Sequence, residues 1–155
     1  MVIRIGLISD THGLLRPQAL DFLQGSDAIL HAGDIVDPAT LERLAELAPL
    51  TSVRGNNDSG AWARALPESI TVTYGGVAIH MLHDLKELAI DPSASGVRVV
   101  VTGHTHKPAC GERGGVLYVN PGAAGRRRFT LPVSVGELII ENGQASVRLV
   151  TLDIL

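Results

Sequence analysis

Residues 2–13 read VIRIGLISDTHG, an aliphatic and largely β-branched run that stops abruptly at Asp10-Thr11-His12-Gly13. The run, Val2 to Ser9, has the length and composition of a buried strand, and a polar turn follows it at once. The same order recurs twice. Asp27 to His31 is a second apolar run, followed by Gly33-Asp34, and Leu50 to Arg54 is a third, followed by Gly55-Asn56-Asn57-Asp58. Two helix signals lie between them. Pro17 suits the first position of a helix reaching Gln24, Ala19, Leu20 and Leu23 share its apolar face, and Gly25 is placed to end it. Asp37-Pro38 is an N-cap and first-turn pair for a second helix carrying Leu41, Leu44, Ala45 and Ala48, closed by Pro49. Strand, helix, strand, helix, strand is the order a parallel sheet requires, because each return of the chain needs a crossover.

From Ser69 onward the texture changes to short strands. They run over Ser69–Tyr74, Val77–Leu82, Val97–Thr102, Val116–Asn120, Val135–Glu141 and Ala145–Leu152, with Gly75-Gly76 and Asn142-Gly143 as hairpin turns. The expected class is α/β, with an α/β opening and a strand-rich second half forming two packed mixed β-sheets flanked by helices. No repeat, linker or low-complexity tract divides the chain, so residues 1–155 are expected to form a single domain.

Composition agrees and excludes several classes. A chain of 155 residues with 45% hydrophobic and 19% charged residues can bury a substantial core, and with 3% aromatic residues that core must be aliphatic. The net charge of −3 gives no global field for a polyanion, so nucleic acid is not the expected partner and any anion must be recruited locally. Cys110 is the one cysteine, which rules out an internal disulfide and agrees with a reducing compartment. The first residues lack the layout of a signal peptide and no apolar run approaches the ~20 residues that span a bilayer. A cytoplasmic protein without membrane contact is expected; assembly as a homo-oligomer is compatible with the sequence.

Five apolar runs end in polar turns containing Asp, Asn or His: Asp10-Thr11-His12, Gly33-Asp34, Gly55-Asn56-Asn57-Asp58, His83-Asp84 and Gly103-His104-Thr105-His106. Any one of them is unremarkable, since Asp and Asn are ordinary turn residues. Ligands of open α/β sheets bind outside the carboxyl ends of strands, so five such turns can converge on one rim. Asp10/His12 and His104/His106 are each spaced i, i+2, which in a strand-like segment puts both side chains on one side, able to chelate one ion. Imidazole with carboxylate and amide oxygens suits Mn, Fe, Co, Ni or Zn better than Mg or Ca.

At these residues the chain resembles the calcineurin-like metallophosphoesterase superfamily, whose pattern is D-x-H, GD, GNH(D/E), a later His, and GHxH. Here the motifs read SDTHG, HAGDI, RGNND, MLHD and TGHTH, in family order over residues 9–106, and Asn120-Pro121-Gly122 resembles a further loop of small members. The length is similar to the small bacterial and archaeal phosphodiesterase branch, related to the metallophosphoesterase-like subunit of retromer. The resemblance implies a four-layer α/β/β/α sandwich and two divalent ions, manganese first among them. One ion would be held by Asp10, His12, Asp34 and His106, the other by Asp34, Asn56, His83 and His104, with Asp34 bridging. It implies hydrolysis of a small phosphodiester by a metal-bridging hydroxide, with Asp34, Asn56, Asn57 and Asp58 as the catalytic set. A phosphomonoesterase with the same site, and an inactive interaction scaffold of the same fold, are the alternatives.

The chain departs from the family pattern at Asn57, where many relatives carry a His that assists the leaving oxygen and small members of the branch often lack it; an amide donates a hydrogen bond but does not titrate near neutral pH. Arg54, immediately before that turn, is a candidate phosphate contact that could instead neutralise carboxylates. His31 and His80, embedded in apolar runs, read as structural. Cys110 reads as buried or inert, Trp62, Phe22 and Met81 as core or pocket lining, and Arg126-Arg127-Arg128 as either a solvated charge run or a phosphate or partner contact.

Overall fold

A computed structural model of the chain describes residues 1–128 and 130–154. Strands β1 (Val2–Ile8), β2 (Ala28–His31) and β3 (Leu50–Ser52) form the parallel centre of a five-stranded sheet, linked by helices α1 (Pro17–Leu23) and α2 (Pro38–Ala45). Antiparallel β9 (Ser134–Glu141) and β10 (Gln144–Thr151) complete it in the order β10-β9-β1-β2-β3. The second sheet is built from β4 (Ser69–Tyr74), β5 (Val77–Leu82), β6 (Val97–Val101), β7 (Ala109–Arg113) and β8 (Val116–Asn120), in the order β4-β5-β6-β8-β7. Its centre, β5-β6-β8, is parallel and both edges are antiparallel, so both sheets are mixed.

The sheets pack face to face over an aliphatic interior. Ile5, Leu7, Leu30, Leu138 and Ile140 of the first sheet meet Ile79, Met81, Val99, Val101 and Val119 of the second in one buried cluster. On the outer face of the first sheet, Ala19 and Leu23 of α1 and Leu44 of α2 pack on Ile8, Ile29 and Val135. The outer face of the second sheet is covered more thinly, by Leu88 and Ile90 over Leu82, Val97 and Val100, next to a 3₁₀ turn at Leu85–Glu87. Two mixed sheets flanked by helices is the expected class, with a turn-like segment supplying the fourth layer.

The helix starts follow the capping rules. Asp37 accepts a hydrogen bond from the Ala39 amide, and Pro17 and Pro38 occupy first-turn positions. α2 stops at Ala45, earlier than the expected Pro49, with Ala48 still buried against the sheet. Two elements were not expected: β7 and a short helix α3 (Ala61–Arg64). β7 is exposed along its whole length and pairs only with β8, so it carries no apolar alternation to announce it.

Candidate metal centre

The turns after β1 and β2 run side by side as a continuation of the parallel ladder. The amides of Asp10, His12 and Gly13 donate to the carbonyls of Gly33, Asp34 and Ile35 at 3.0, 3.0 and 2.9 Å. The i, i+2 pairs do not converge by strand alternation, as the spacing suggested. Asp10, His12, Asp34, His104 and His106 all have positive φ, between 46° and 73°, and with Val36 and Asn142 they are the described non-glycine residues in that region. Left-handed backbone costs roughly 1–3 kcal/mol per non-glycine residue and concentrates where function requires it. In a tight turn this conformation aims each polar side chain back over the rim.

Two glycines permit the close approach. A β-carbon on Gly55 would collide with Asp34, and one on Gly103 would strike the Ser9 hydroxyl and lie 2.6 Å from Asp10 Oδ2. Asp10 is thereby held at its Oδ2 end, which accepts from Ser9 Oγ at 2.6 Å and from the His104 amide at 3.1 Å. Its Oδ1 is free to face three imidazoles. His106, His12 and His83 place Nε2 at 3.4, 3.7 and 3.9 Å from it. Asp34 Oδ2 lies 3.4 Å from His12 Nε2 and 3.3 Å from His83 Nε2.

Asp10, His12 and His106 thus form one compact group, and Asp10, Asp34 and His83 a second. Asp10 stands in both. His104 and Asn56 lie beside the second group: the His83 and His104 ring centroids are 5.2 Å apart, and His104 Nδ1 sits 3.1 Å from Asn56 Oδ1.

A cation fits this set. Asp10 Oδ1, His12 Nε2, His83 Nε2 and His106 Nδ1 are buried with no hydrogen-bond partner. Each such orphan costs ~1–3 kcal/mol unless something binds it, and four carboxylate and imidazole atoms together suit a borderline divalent ion. Protonation states agree. Burial by itself would raise the Asp10 carboxyl, but His106, His12 and Ser9 outweigh it and hold Asp10 well below the usual carboxylate range. Asp34 is lowered after the same contest, burial opposing His83 and the Asn57 amides. His12 is raised mainly by Asp10, against its burial, and His83 is raised by Asp34 and Asp10 in spite of its own burial. Protons on the histidines answer the demand for positive charge that a cation would answer. His83 donates from Nδ1 to the Ala32 carbonyl at 2.8 Å, which orients its ring and leaves Nε2 facing the carboxylates.

Supporting residues surround the cluster. The carboxylate of Asp58, expected in the catalytic set, accepts from the amides of Asp34, Gly55, Ile35 and Val36 at 2.7–3.0 Å, tying the β2 and β3 turns together. Asn57 donates from both its backbone amide and Nδ2 to Asp34, each at 2.9 Å, so its side chain is engaged with a carboxylate. Arg54 pairs with exposed Glu68 at 2.8 Å, the carboxylate-neutralising option.

His31 is fully buried; Nδ1 accepts from the Gly33 amide at 3.1 Å, so Nε2 carries the proton facing Thr11 Oγ1 at 3.0 Å. Burial holds it neutral, lowering its pKa to about 4. His80 contacts Thr71 Oγ1 at 2.8 Å and is likewise lowered by burial. Both are structural, as expected. Asn120 Nδ2 donates to the Gly103 carbonyl at 2.9 Å and to Thr105 Oγ1 at 3.1 Å, steadying the turn that carries His104 and His106. Cys110 is exposed on β7, which removes the buried option of the expected buried-or-inert reading, because an edge strand leaves both faces near solvent. Met81 is core, Phe22 and Trp62 are half-buried, and Arg126, Arg127 and Arg128 are exposed.

Two clefts share Asp84 in their linings. One, of about 470 Å³, lies beside Arg54, Asn56, Arg64 and His83. The other, of about 820 Å³, runs from His104 past Leu85 to Tyr118. Arg64 and Tyr118 were not singled out from sequence, and neither sits in a motif that marks it.

Residues 3–143 match the calcineurin-like phosphoesterase superfamily domain, and the chain belongs to that family of metal-dependent phosphoesterases. It is 32% identical over 151 residues to a "Probable metallophosphoesterase" of Methanocaldococcus jannaschii, covering 89% of this chain and 76% of that one. Its fold is similar to an archaeal phosphodiesterase (TM-score 0.80, 24% identity, covering 97% of this chain and 100% of that one). It is also similar to Vacuolar Protein Sorting 29 of Cryptosporidium parvum (TM-score 0.77, 20% identity, covering 99% of each).

Proposed function

We propose that this chain is a dinuclear phosphodiesterase hydrolysing a small phosphodiester, with residues 1–155 as a single cytoplasmic domain. The observation that carries the reading is the set of four buried, unpartnered ligand atoms on Asp10, His12, His83 and His106. Asp10, His12, Asp34 and His106 would hold one ion and Asp34, Asn56, His83 and His104 the second. Manganese is the first choice, with iron, nickel, cobalt and zinc suited to the same donors. Such a pair, when bound, supplies Lewis acidity toward the phosphoryl oxygens and makes water a nucleophile near neutral pH. The chain's residues do the rest. Asp10 and Asp34 stay ionised to hold positive charge in an acidic protein, while Asp58, Asn57 and Asn120 fix the turns that present them. The two clefts favour a diester over a monoester, since each ester substituent has a place beside the cluster.

The test is the metal content of protein purified without chelator, followed by turnover of bis(p-nitrophenyl) phosphate and p-nitrophenyl phosphate with added Mn²⁺. Two ions per chain and faster diester turnover are expected. Faster turnover of the monoester would make it a phosphomonoesterase, and metal-free, inactive protein would make it a scaffold.

A further inference from the structure

The larger cleft is unlike the rest of the rim. Leu85, one of few exposed large hydrophobic residues, stands in it at 38% relative exposure. Tyr118 forms its far wall on the outer face of the second sheet. Directly across the ladder from Tyr118 is Gly111, and a β-carbon built there meets nothing within 4 Å. The edge strand therefore leaves an open slot where cross-strand neighbours would normally pack. Lys86, Lys107 and Arg113 line the same cleft with the acidic Asp84 and Glu112, and the Arg113 guanidinium lies 4.2 Å from the centre of the Tyr118 ring. At the near end, His104 belongs both to the cleft and to the histidine pair beside Asp34.

We infer that this groove, from His104 to Tyr118 and Gly111, seats an aromatic substituent of the phosphoester, which makes Gly111 and Tyr118 specificity-determining residues. The inference rests on the phosphoesterase reading and deepens it. A phosphorus centre beside Asn56 and His104 has one substituent adjacent to the groove, whose walls are largely apolar with a border of mixed charge in which cations outnumber carboxylates. Leu85 and the part of Tyr118 that Arg113 does not cover offer a planar group area to bury, with the Arg113 guanidinium at its border. The border lysines suit the anionic character of the rest of the molecule. A small alkyl substituent would leave the groove unfilled.

The experiment measures, by calorimetry on Mn²⁺-loaded protein, the binding of phenylphosphonate and methylphosphonate, which are not hydrolysed. The parent should bind phenylphosphonate about tenfold more tightly. Gly111→Ile, in an exposed edge position with room for its β-carbon, should abolish that preference while leaving methylphosphonate affinity and metal content unchanged. Gly111→Ala should keep it. Equal affinities in the parent, no binding of either, or a preference untouched by Gly111→Ile would overturn the inference. Turnover of bis(p-nitrophenyl) phosphate is followed in parallel: a phenyl preference without turnover sinks the enzymatic reading alone, and turnover without the preference sinks the groove alone.

Discussion

At the scale of one residue, Asn57 is engaged with a candidate metal ligand. It stands where the motif pattern has a titratable histidine, and its Nδ2 and backbone amide both donate to Asp34. A residue that holds a ligand acts on cation affinity, whereas one that assists a leaving group acts on the barrier. Asn57→Ala should therefore weaken Mn²⁺ binding, by roughly 10- to 100-fold as for other supports of metal ligands. At saturating metal, the slope of log rate against leaving-group pKa should stay as in the parent. Steepening of that slope would return Asn57 to the leaving oxygen.

His31 allows a second prediction at this scale, with a definite sign. Its pKa falls from 6.5 to about 4 on folding because burial disfavours the imidazolium. The folded state binds fewer protons than the unfolded, so His31's stabilising contribution is full above pH 6.5 and is lost as pH falls toward 4. The swing is about 3 kcal/mol at ~1.4 kcal/mol per unit. His31→Gln removes the titration. Urea unfolding in EDTA should show the parent ahead of the variant at pH 7 and the gap closing by about that amount at pH 4. A gap independent of pH would mean that His31 is not buried neutral.

At the scale of elements, the turns rather than the strands carry the site, and they are held by polar side chains far away in sequence. Asn120, at the end of β8, bonds the turn that carries His104 and His106. Asn120→Ala removes its bonds to the Gly103 carbonyl and to Thr105 Oγ1, while the carbonyl keeps the Thr105 amide, and should cost ~0.5–1.5 kcal/mol of stability per bond lost. Metal affinity should also fall, read as a higher Mn²⁺ concentration for half-saturation; unchanged metal affinity would make Asn120 a purely structural residue. This dependence explains what the sequence could convey. The central strands and both long helices were legible because burial on both faces forces continuous apolar runs, and Pro17, Asp37 and Pro38 mark the helix starts. β7 was not, since an exposed edge strand is under no such constraint. Motif order picks out the residues that cluster, but strand alternation does not bring them together: the turns at Asp10, His12, His104 and His106 are left-handed. The motif that contains Asp58 records which residues occur together and not which atoms they touch. The four amide bonds of Asp58 appear only when the β2 and β3 turns are brought side by side.

For the whole molecule, the decisive feature is that the cluster straddles both sheets. Asp10 and His12 follow β1 and Asp34 follows β2 in the first sheet, while His83 follows β5 and His104 and His106 follow β6 in the second. The sheets otherwise meet through an aliphatic core, which is non-directional, so polar contacts at the rim tie the two together there. Without a cation, two ionised carboxylates and four unpartnered atoms are buried at that seam. A divalent ion that binds only the folded chain should therefore stabilise the whole molecule by mass action, ~2.7 kcal/mol at a hundredfold excess over its dissociation constant. For a domain of this size that corresponds to about 5–10 °C in thermal midpoint. Thermal unfolding should shift upward by that amount on adding Mn²⁺ to EDTA-treated, dialysed protein, and Mg²⁺ at equal concentration should do less because nitrogen donors suit it poorly. Asp34→Asn, which replaces a carboxylate between His12 and His83 by an amide, should fold, lose most of the shift and lose most hydrolytic activity. A full Mn²⁺ shift in that variant would show that Asp10, the residue common to both compact groups, carries the cation binding, and would remove Asp34 as the bridge.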